Sequence, residues 1–298
     1  MAIPEAQLQT WSHQPAPGPS RDTYAAVRAT LLDTAAPFAR YNPDVYLQGS
    51  YGNDTNVARE SDVDVVACIP TTFAHDANRL PSEQYHAFER AYPGVASYSY
   101  DHYKSDVAAW LVKKYGSGVR SGSKAILIPA GQNRRECDVL PAIEYRYYYR
   151  FVSPTEQHFE PGICFYLRDG TQIVNFPKLH ARNCTSKHQS TNERFKPLVR
   201  IYKNMRNRMI DRGMLGERVA PSYFIEGLVY NAPNGLFSGS LAQAFLATQA
   251  YLYRADRSQV QCPNGIHPLI GDTPVTWPAT NCSAFLNAVG AFWNNWTG

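Results

Sequence analysis

The chain has 298 residues, 44% of them hydrophobic and 18% charged, and a formal net charge of +4 at neutral pH. Such a composition excludes a disordered chain and leaves room for two cores or for one large α/β body split by a cleft. Lys and Arg are dispersed except between 194 and 212, so stable nucleic-acid binding is not expected.

In chain order, the first nineteen residues carry Pro4, Pro15, Pro17 and Pro19 and are expected to wrap the surface. Ser20 or Asp22 then caps an amphipathic helix through TYAAVRATLLDTAAPFARY, with Tyr24, Val27, Leu31 and Ala35 as its buried stripe. DVYLQGS reads as a strand entering a glycine-containing turn, and SDVDVVACIP as the next strand, stopped by Pro70. Residues 82 to 116 are helical with a break at Pro93-Gly94, and SDVAAWLVKKYG closes on Gly116. GVRSGSKAILIPA, NRRECDVLPA and EYRYYYRF are β-rich runs that extend the same sheet and place Asp138 on a strand. GICFYLRDGTQIVNF is a hairpin turning at Arg168-Asp169-Gly170. After Pro177 the pattern is helical throughout. The resulting expectation is an α+β fold with a sheet-containing lobe over 1–176 and a helical lobe over 177–298.

Within this frame, Asp62 and Asp64 alternate along a strand, so their carboxylates share a face while Val63, Val65 and Ala67 turn away. Like charges so close repel unless cations lie between them, and carboxylates together with substrate phosphates are the hard oxygen ligands Mg²⁺ favours. Gly49-Ser50 precedes them at a turn. A small residue followed by a hydroxyl lets backbone amides approach phosphate oxygens closely. The third acid of the set is Asp138.

Other features have plainer readings. The basic residues Arg194, Lys196, Arg200, Arg206, Arg208 and Arg212 around Lys203 suit a solvated helix face. NDTN (53–56) suits an Asx-rich turn, and EYRYYYRF a packed strand. His180, Cys184 and His188 recur at helical spacing, but a structural zinc site needs four ligands and no second cysteine is near, so helix residues are the preferred account. Cys68, Cys137, Cys164, Cys184, Cys262 and Cys282 form no Cys-x-x-Cys pair and read as reduced thiols, with Cys262 and Cys282 as the one conceivable pair. No apolar run approaches the roughly 18 residues of a membrane helix, and MAIPEAQLQTWSHQ lacks the features of a signal peptide. A soluble cytoplasmic protein with no membrane contact is therefore expected.

The ordered set QGSYGNDTNV, SDVDVVA, CDVLPAIEYR, NFPKLH, FKPLVRIYKNMRNRM and PSYFIEGLVYN, running from about 44 to 232, resembles the DNA polymerase β-like nucleotidyltransferases. More narrowly it is similar to the bacterial CD-NTases, akin to the animal sensor cGAS and to oligoadenylate synthase. The resemblance implies a polymerase β-like core with a mixed twisted sheet, a C-terminal helical lobe, and an active site in the cleft between them. It implies that Asp62, Asp64 and Asp138 hold two Mg²⁺ ions, with Mn²⁺ as the alternative, and are the catalytic residues. Gly49, Ser50, Lys203 and Ser222 would bind the donor triphosphate, Tyr223 would stack on a nucleobase, and Asn175 matches a position where asparagine accompanies pyrimidine use and serine purine use. The implied reaction joins NTPs (ATP, UTP or GTP), with loss of pyrophosphate, into a cyclic di- or trinucleotide messenger that acts on a separate effector in antiphage (CBASS) signalling. Two alternatives stay open at this point. One is a nucleotidyltransferase that modifies a small molecule, protein or RNA end; the other is a nucleotide-binding regulatory subunit without turnover.

Overall fold

The computed structural model describes residues 2–15, 18–59 and 63–297, so Asp62 lies outside the described residues. The chain divides into two units: Pro17–Gln48 with Asp62–Pro177, and Met1–Ala16 with Gly49–Ser61 and Lys178–Gly298. A single cut at 176 assigns 1–16 and 49–61 to the sheet, whereas both segments belong to the helical unit.

In the sheet unit, helix α1 being reserved for the other unit (Glu5–Ser12), the first element is α2 (Gly18–Leu31), with Pro19 in its first turn, where a missing N–H costs nothing. The helix stops at Leu31, earlier than its stripe suggests. Asp33 accepts from the backbone N–H of Ala35 at 2.9 Å, an Asx turn that competes with helix continuation, and Ala35 is exposed. The strands that follow are β1 (Asp44–Leu47), β2 (Val63–His75), β3 (Arg120–Ser121), β4 (Ile126–Ile128), β5 (Cys137–Ser153), β6 (Glu156–Tyr166) and β7 (Gln172–Asn175). They pair in the order β1-β2-β5-β4-β3, and β6 also pairs with β5 and carries β7. The pairing of β2 with β5 is parallel and every other pairing is antiparallel.

The centre of this sheet is buried on both faces: Val63, Val65, Val66, Ala67 and Ile69 on β2, and Val139, Ala142 and Ile143 on β5. Continuous apolar runs of that kind belong to interior strands rather than half-exposed ones. Between β2 and β3 lie α4 (Ser82–Ala91) and α5 (Tyr100–Tyr115). α5 begins a turn before the sequence signal, because the Ser99 hydroxyl accepts from the His102 N–H at 3.2 Å, and it ends at Gly116 with φ +87°. Its Tyr103, Val107 and Leu111 are buried, the Tyr103 hydroxyl donates to the Ala67 carbonyl at 3.0 Å, and Trp110 Nε1 donates to the Thr30 carbonyl at 2.9 Å.

Pro70, expected to stop its strand, does not, and Pro141 also lies inside a strand. β2 runs through Pro70 because the register with β5 is interrupted between Ile69 and Phe73, so the proline sits where no ladder hydrogen bond is required. Pro141 lies inside β5 between the stretch paired with β4 (Cys137 to Val139) and the stretch paired with β6 (from Ile143), where only β2 is alongside. CDVLPA and EYRYYYRF are therefore one 17-residue strand. The hairpin at Arg168-Asp169-Gly170 forms as read, with Gly170 at φ +82° and the Leu167 N–H donating to the Thr171 carbonyl at 3.0 Å.

The helical unit contains α1, α3 (Gly49–Gly52), α6 (Pro177–Ser190), α7 (Phe195–Asp211), α8 (Ser222–Tyr230), α9 (Leu241–Arg254) and α10 (Ala279–Asn294). α7 is its spine, burying Phe195, Leu198, Val199, Ile201, Tyr202, Met205 and Met209 in one cluster with residues of α8, α9 and α10. The N-terminal segment does not merely wrap the surface: α1 buries Leu8 and Trp11 in the same cluster, and Trp11 meets Trp296 edge-on at 5.4 Å. Glu5 accepts from the N–H groups of Leu241 and Ala242 at 2.7 and 3.0 Å, supplying negative charge to the start of α9, which Ser240 and Gln243 close with a capping box. All six cysteines, Cys262 and Cys282 included, are buried and none is in a disulfide. Among the described residues no helix is long and apolar enough to cross a membrane.

A Cβ at Gly162 would stand 2.8 Å from the Asn175 carbonyl oxygen and 2.8 Å from the Phe176 ring. Gly162→Ala is therefore expected to destabilise the β6–β7 pair by about 1 to 3 kcal/mol, as overpacking of a tight site does. Denaturant unfolding of the variant against wild type measures it.

Candidate active site

The acids of the sheet unit meet through strand register. Asp64 of β2 is the pairing partner of Asp138 of β5, flanked by Val63 opposite Cys137 and Val65 opposite Val139. Paired positions on adjacent strands point to the same face at a spacing of about 4.8 Å, so the two carboxylates share one small space. Both are half-buried, whereas the residues beside them are buried. Their field is visible on a neighbour: the Cys137 thiol is pushed up to about 12, first by burial and then by the charges of Asp138 and Asp64. Two registered hard oxygen donors fit a divalent Mg²⁺-type ion and offer nothing to a soft metal. The third predicted ligand, Asp62, is outside the described residues.

In the helical unit Gly49 opens α3 with φ +65°, a left-handed conformation that glycine adopts without strain. Half-buried Ser50 follows, and the Thr55 N–H donates back to the Ser50 carbonyl at 2.9 Å, which folds 50–55 into a compact loop. α7 and α8 hold that loop. Lys196 pairs with the Asp54 carboxylate at 2.9 Å, and Arg200 donates to the Asp54 carbonyl at 2.6 Å. Lys203, with no exposure, donates from Nζ to Ser50 Oγ at 2.7 Å, to the Thr55 carbonyl at 3.1 Å and hydroxyl at 3.2 Å, and to Glu226 Oε1 at 2.9 Å.

Glu226, 1% exposed on α8, also accepts from Asn53 Nδ2 at 2.8 Å, from the Thr55 hydroxyl and from His180 Nε2 at 3.2 Å. Burial pushes its carboxyl up, yet the Lys203 charge, His180 and Thr55 together hold it well below the usual carboxylate range. The solvated-face reading of α7 is thus wrong for Lys196, Arg200 and Arg206, each less than a tenth exposed and each with internal partners, and Lys203, placed on the triphosphate by the resemblance, is likewise buried. Buried cations on a helix demand paired acceptors: loop carbonyls and two carboxylates serve Lys196, Arg200 and Lys203, and the Ala220 carbonyl and Ser222 hydroxyl serve Arg206.

Ser222 is the first residue of α8, and Arg206 donates to its hydroxyl at 3.3 Å and to the Ala220 carbonyl at 3.0 Å. Tyr223 is 42% exposed and stacks on His180, with ring centroids 4.9 Å apart. An aromatic ring fixed against another ring yet open to solvent can accept a base. His180, Cys184 and His188 do not converge: His180 is committed to Glu226, Cys184 is in the helical core, and His188 Nδ1 accepts from the Lys196 N–H at 3.4 Å. Asn175 closes β7, half-buried, opposite Ile163 of β6.

Residues 182–294 match the model of the cGAS/DncV-like nucleotidyltransferase C-terminal helical domain. Over 299 aligned positions the chain is 37% identical to the cyclic UMP-AMP synthase of Rhodothermus marinus, covering 99% of both proteins. The chain is a CD-NTase. The solved structure of the Rhodothermus marinus CdnE c-UMP-AMP synthase with Apcpp and Upnpp superposes with a TM-score of 0.88 over 99% of this chain and 98% of that one, at 36% identity. The Elizabethkingia meningoseptica CdnE cyclic dinucleotide synthase with GTP and Apcpp gives 0.75 over 97% and 98%, at 28% identity. CD-NTases are nucleotidyltransferases that make cyclic oligonucleotides, and the mixed sheet with a C-terminal helical domain is their architecture.

Two members of this CD-NTase's polar network escaped the sequence reading. Glu226 is the one acid in the apolar segment SYFIEGLVY, and a lone carboxylate among core residues is itself a signal of a buried partner. Asn53 reads as a turn residue but is 7% exposed and bonded to Glu226. A carboxyl depressed on folding adds stability above its unfolded value, near 4.5, and that stability is lost as pH falls below it. Below pH 4.5 the melting temperature of wild type should therefore fall more steeply than that of Glu226→Gln, which lacks this titration; thermal melts of both proteins between pH 3 and 7 check it.

Proposed function

We propose that this CD-NTase joins nucleoside triphosphates in two successive transfers into a uridine-containing cyclic dinucleotide, in the cytoplasm, as a messenger read by a separate effector in antiphage defence. The observation that carries the catalytic part is the register of Asp64 with Asp138. These two residues, with Asp62, would hold two Mg²⁺ ions. When bound, such ions neutralise phosphate charge and make a ribose hydroxyl a better nucleophile.

The remaining work belongs to side chains. Asp138 would accept a hydrogen bond from the acceptor 3′-hydroxyl and take up its proton as the hydroxyl oxygen forms its bond to the α-phosphorus of the donor and the bond to the departing pyrophosphate breaks. The loop at Gly49 and Ser50 receives the triphosphate, with Ser222 adding a donor hydroxyl; buried Lys203 acts through Ser50, to whose Oγ it donates, and Tyr223 offers an exposed ring to a base. The linear product retains a triphosphate, so it can reverse, serve as the donor and close at the same groups. Phosphoryl transfer of this kind asks mainly for positioning and charge stabilisation.

Uridine use rests on two supports. The Rhodothermus marinus relative is named for a product containing UMP and AMP, and an asparagine amide at 175 offers both the donor and the acceptor that a uracil edge requires.

Incubation with ATP, GTP, CTP, UTP and Mg²⁺, without any other acceptor, should release pyrophosphate and give a phosphatase-resistant product whose mass contains uridine. A purine-only mass would refute the base assignment, and no product would refute the synthase reading. Asp64→Asn and Asp138→Asn each remove several kcal/mol of charge stabilisation, so turnover should drop on the order of 100-fold or more while the melting temperature is retained. Asn175→Ser should shift incorporation from UTP toward purine nucleotides, read from product masses in mixed-NTP competition.

A further inference from the structure

We propose that Glu226 is a positioning residue of the transfer reaction: through Lys203 it fixes Ser50 so that the serine hydroxyl presents its hydrogen to a triphosphate oxygen. This rests on the reading of Ser50 as a triphosphate contact, and it gives a role to a carboxylate that touches neither substrate nor metal.

The chemistry follows from donor and acceptor counts. A lysine ammonium can only donate, so at 2.7 Å from Lys203 Nζ the Ser50 Oγ is an acceptor and its own hydrogen must point away from Lys203. Half-buried Ser50 therefore offers an oriented O–H to an anion, without the entropy of a free rotor. Lys203 is itself held in place. It has no exposure, and a buried ammonium needs a counter-charge, which Glu226 Oε1 gives at 2.9 Å.

Glu226 in turn is fixed from three sides. Asn53 Nδ2 and the Thr55 hydroxyl come from the Ser50 loop, and His180 Nε2 comes from α6. Together with Lys203 these fill the roughly four lone-pair sites of a carboxylate. His180 Nδ1 has no hydrogen-bond partner, which fits a ring that donates through Nε2 and leaves Nδ1 as a bare lone pair. The same carboxylate thus sets the ammonium that orients Ser50 and clamps the backbone that carries it. All of these residues lie within the helical unit.

A merely structural Glu226 would lower stability and leave substrate affinity alone at temperatures below unfolding. The test measures KM and kcat for NTPs, and melting temperature, for Glu226→Gln, Ser50→Ala and the double variant. Glu226→Gln should raise KM about tenfold in the wild-type background but less than twofold once Ser50 is alanine, because the group it orients is then gone. Its effect on melting temperature should be similar in both backgrounds. If Ser50→Ala raises KM but Glu226→Gln does not, or if the two KM effects multiply fully, the positioning role is wrong while the phosphate site stands. If Ser50→Ala itself leaves KM unchanged, the triphosphate reading of the loop fails, and this role with it. Should Glu226→Gln not fold, Thr55→Val keeps both charges and the side-chain shape while removing the hydroxyl between Lys203 and Glu226. It should raise KM with the same loss of effect in the Ser50→Ala background, and an unchanged KM would overturn the proposal.

Discussion

The parallel pairing of β2 with β5 is the constraint on which the sheet unit depends. Strand side chains alternate with a period of two, so a slip of one residue would send Asp138 to the face opposite Asp64. Burial prevents that slip: beyond the aspartates β2 is buried as far as Ile69 and β5 as far as Ile143, and any shift would expose one set of side chains or overpack the other. β5 also carries β4 on one stretch and β6 on the next, so most of the sheet is hung on the strand that presents Asp138. The two carboxylates stand at the polar opening of otherwise apolar strands. Their mutual repulsion is a cost that a bound cation would offset.

The helical unit solves a different problem. Its spine helix buries four cations among apolar neighbours, an arrangement that lowers stability unless every charge finds acceptors. For Lys196, Arg200 and Lys203 the acceptors include the loop of 50–55 and one glutamate on α8, and for Arg206 the Ala220 carbonyl and the Ser222 hydroxyl. Replacing such a pair with apolar residues is often neutral or stabilising in other proteins. Its presence here is therefore better explained by the Ser50 loop it holds than by what it adds to folding.

How far the sequence could be read follows from the kind of signal each feature leaves. Alternation at 62–67 and the glycine before Ser50 are local, and both the Asp64 face and the left-handed Gly49 match them. The hairpin at 168–170 is equally local. What escaped depends on partners distant in sequence. Arg, Lys and Glu on a helix look solvated until their counter-charges are known, and those of α7 lie in a loop some 150 positions away and on the next helix. Pro70 and Pro141 look like strand breakers because a sequence does not reveal which neighbour is missing alongside them. The register of Asp64 with Asp138 is likewise a long-range fact; only the resemblance to CD-NTases joined those two acids beforehand.

Direct titration of Mn²⁺ into the protein saturated with a non-hydrolysable nucleoside triphosphate, for wild type and for Asp138→Asn, tests the central claim most directly. If the registered aspartates hold the ions that support transfer, wild type binds two and the variant loses one or binds it at least tenfold more weakly, with the melting temperature unchanged. Equal stoichiometry and affinity in the two proteins would contradict it.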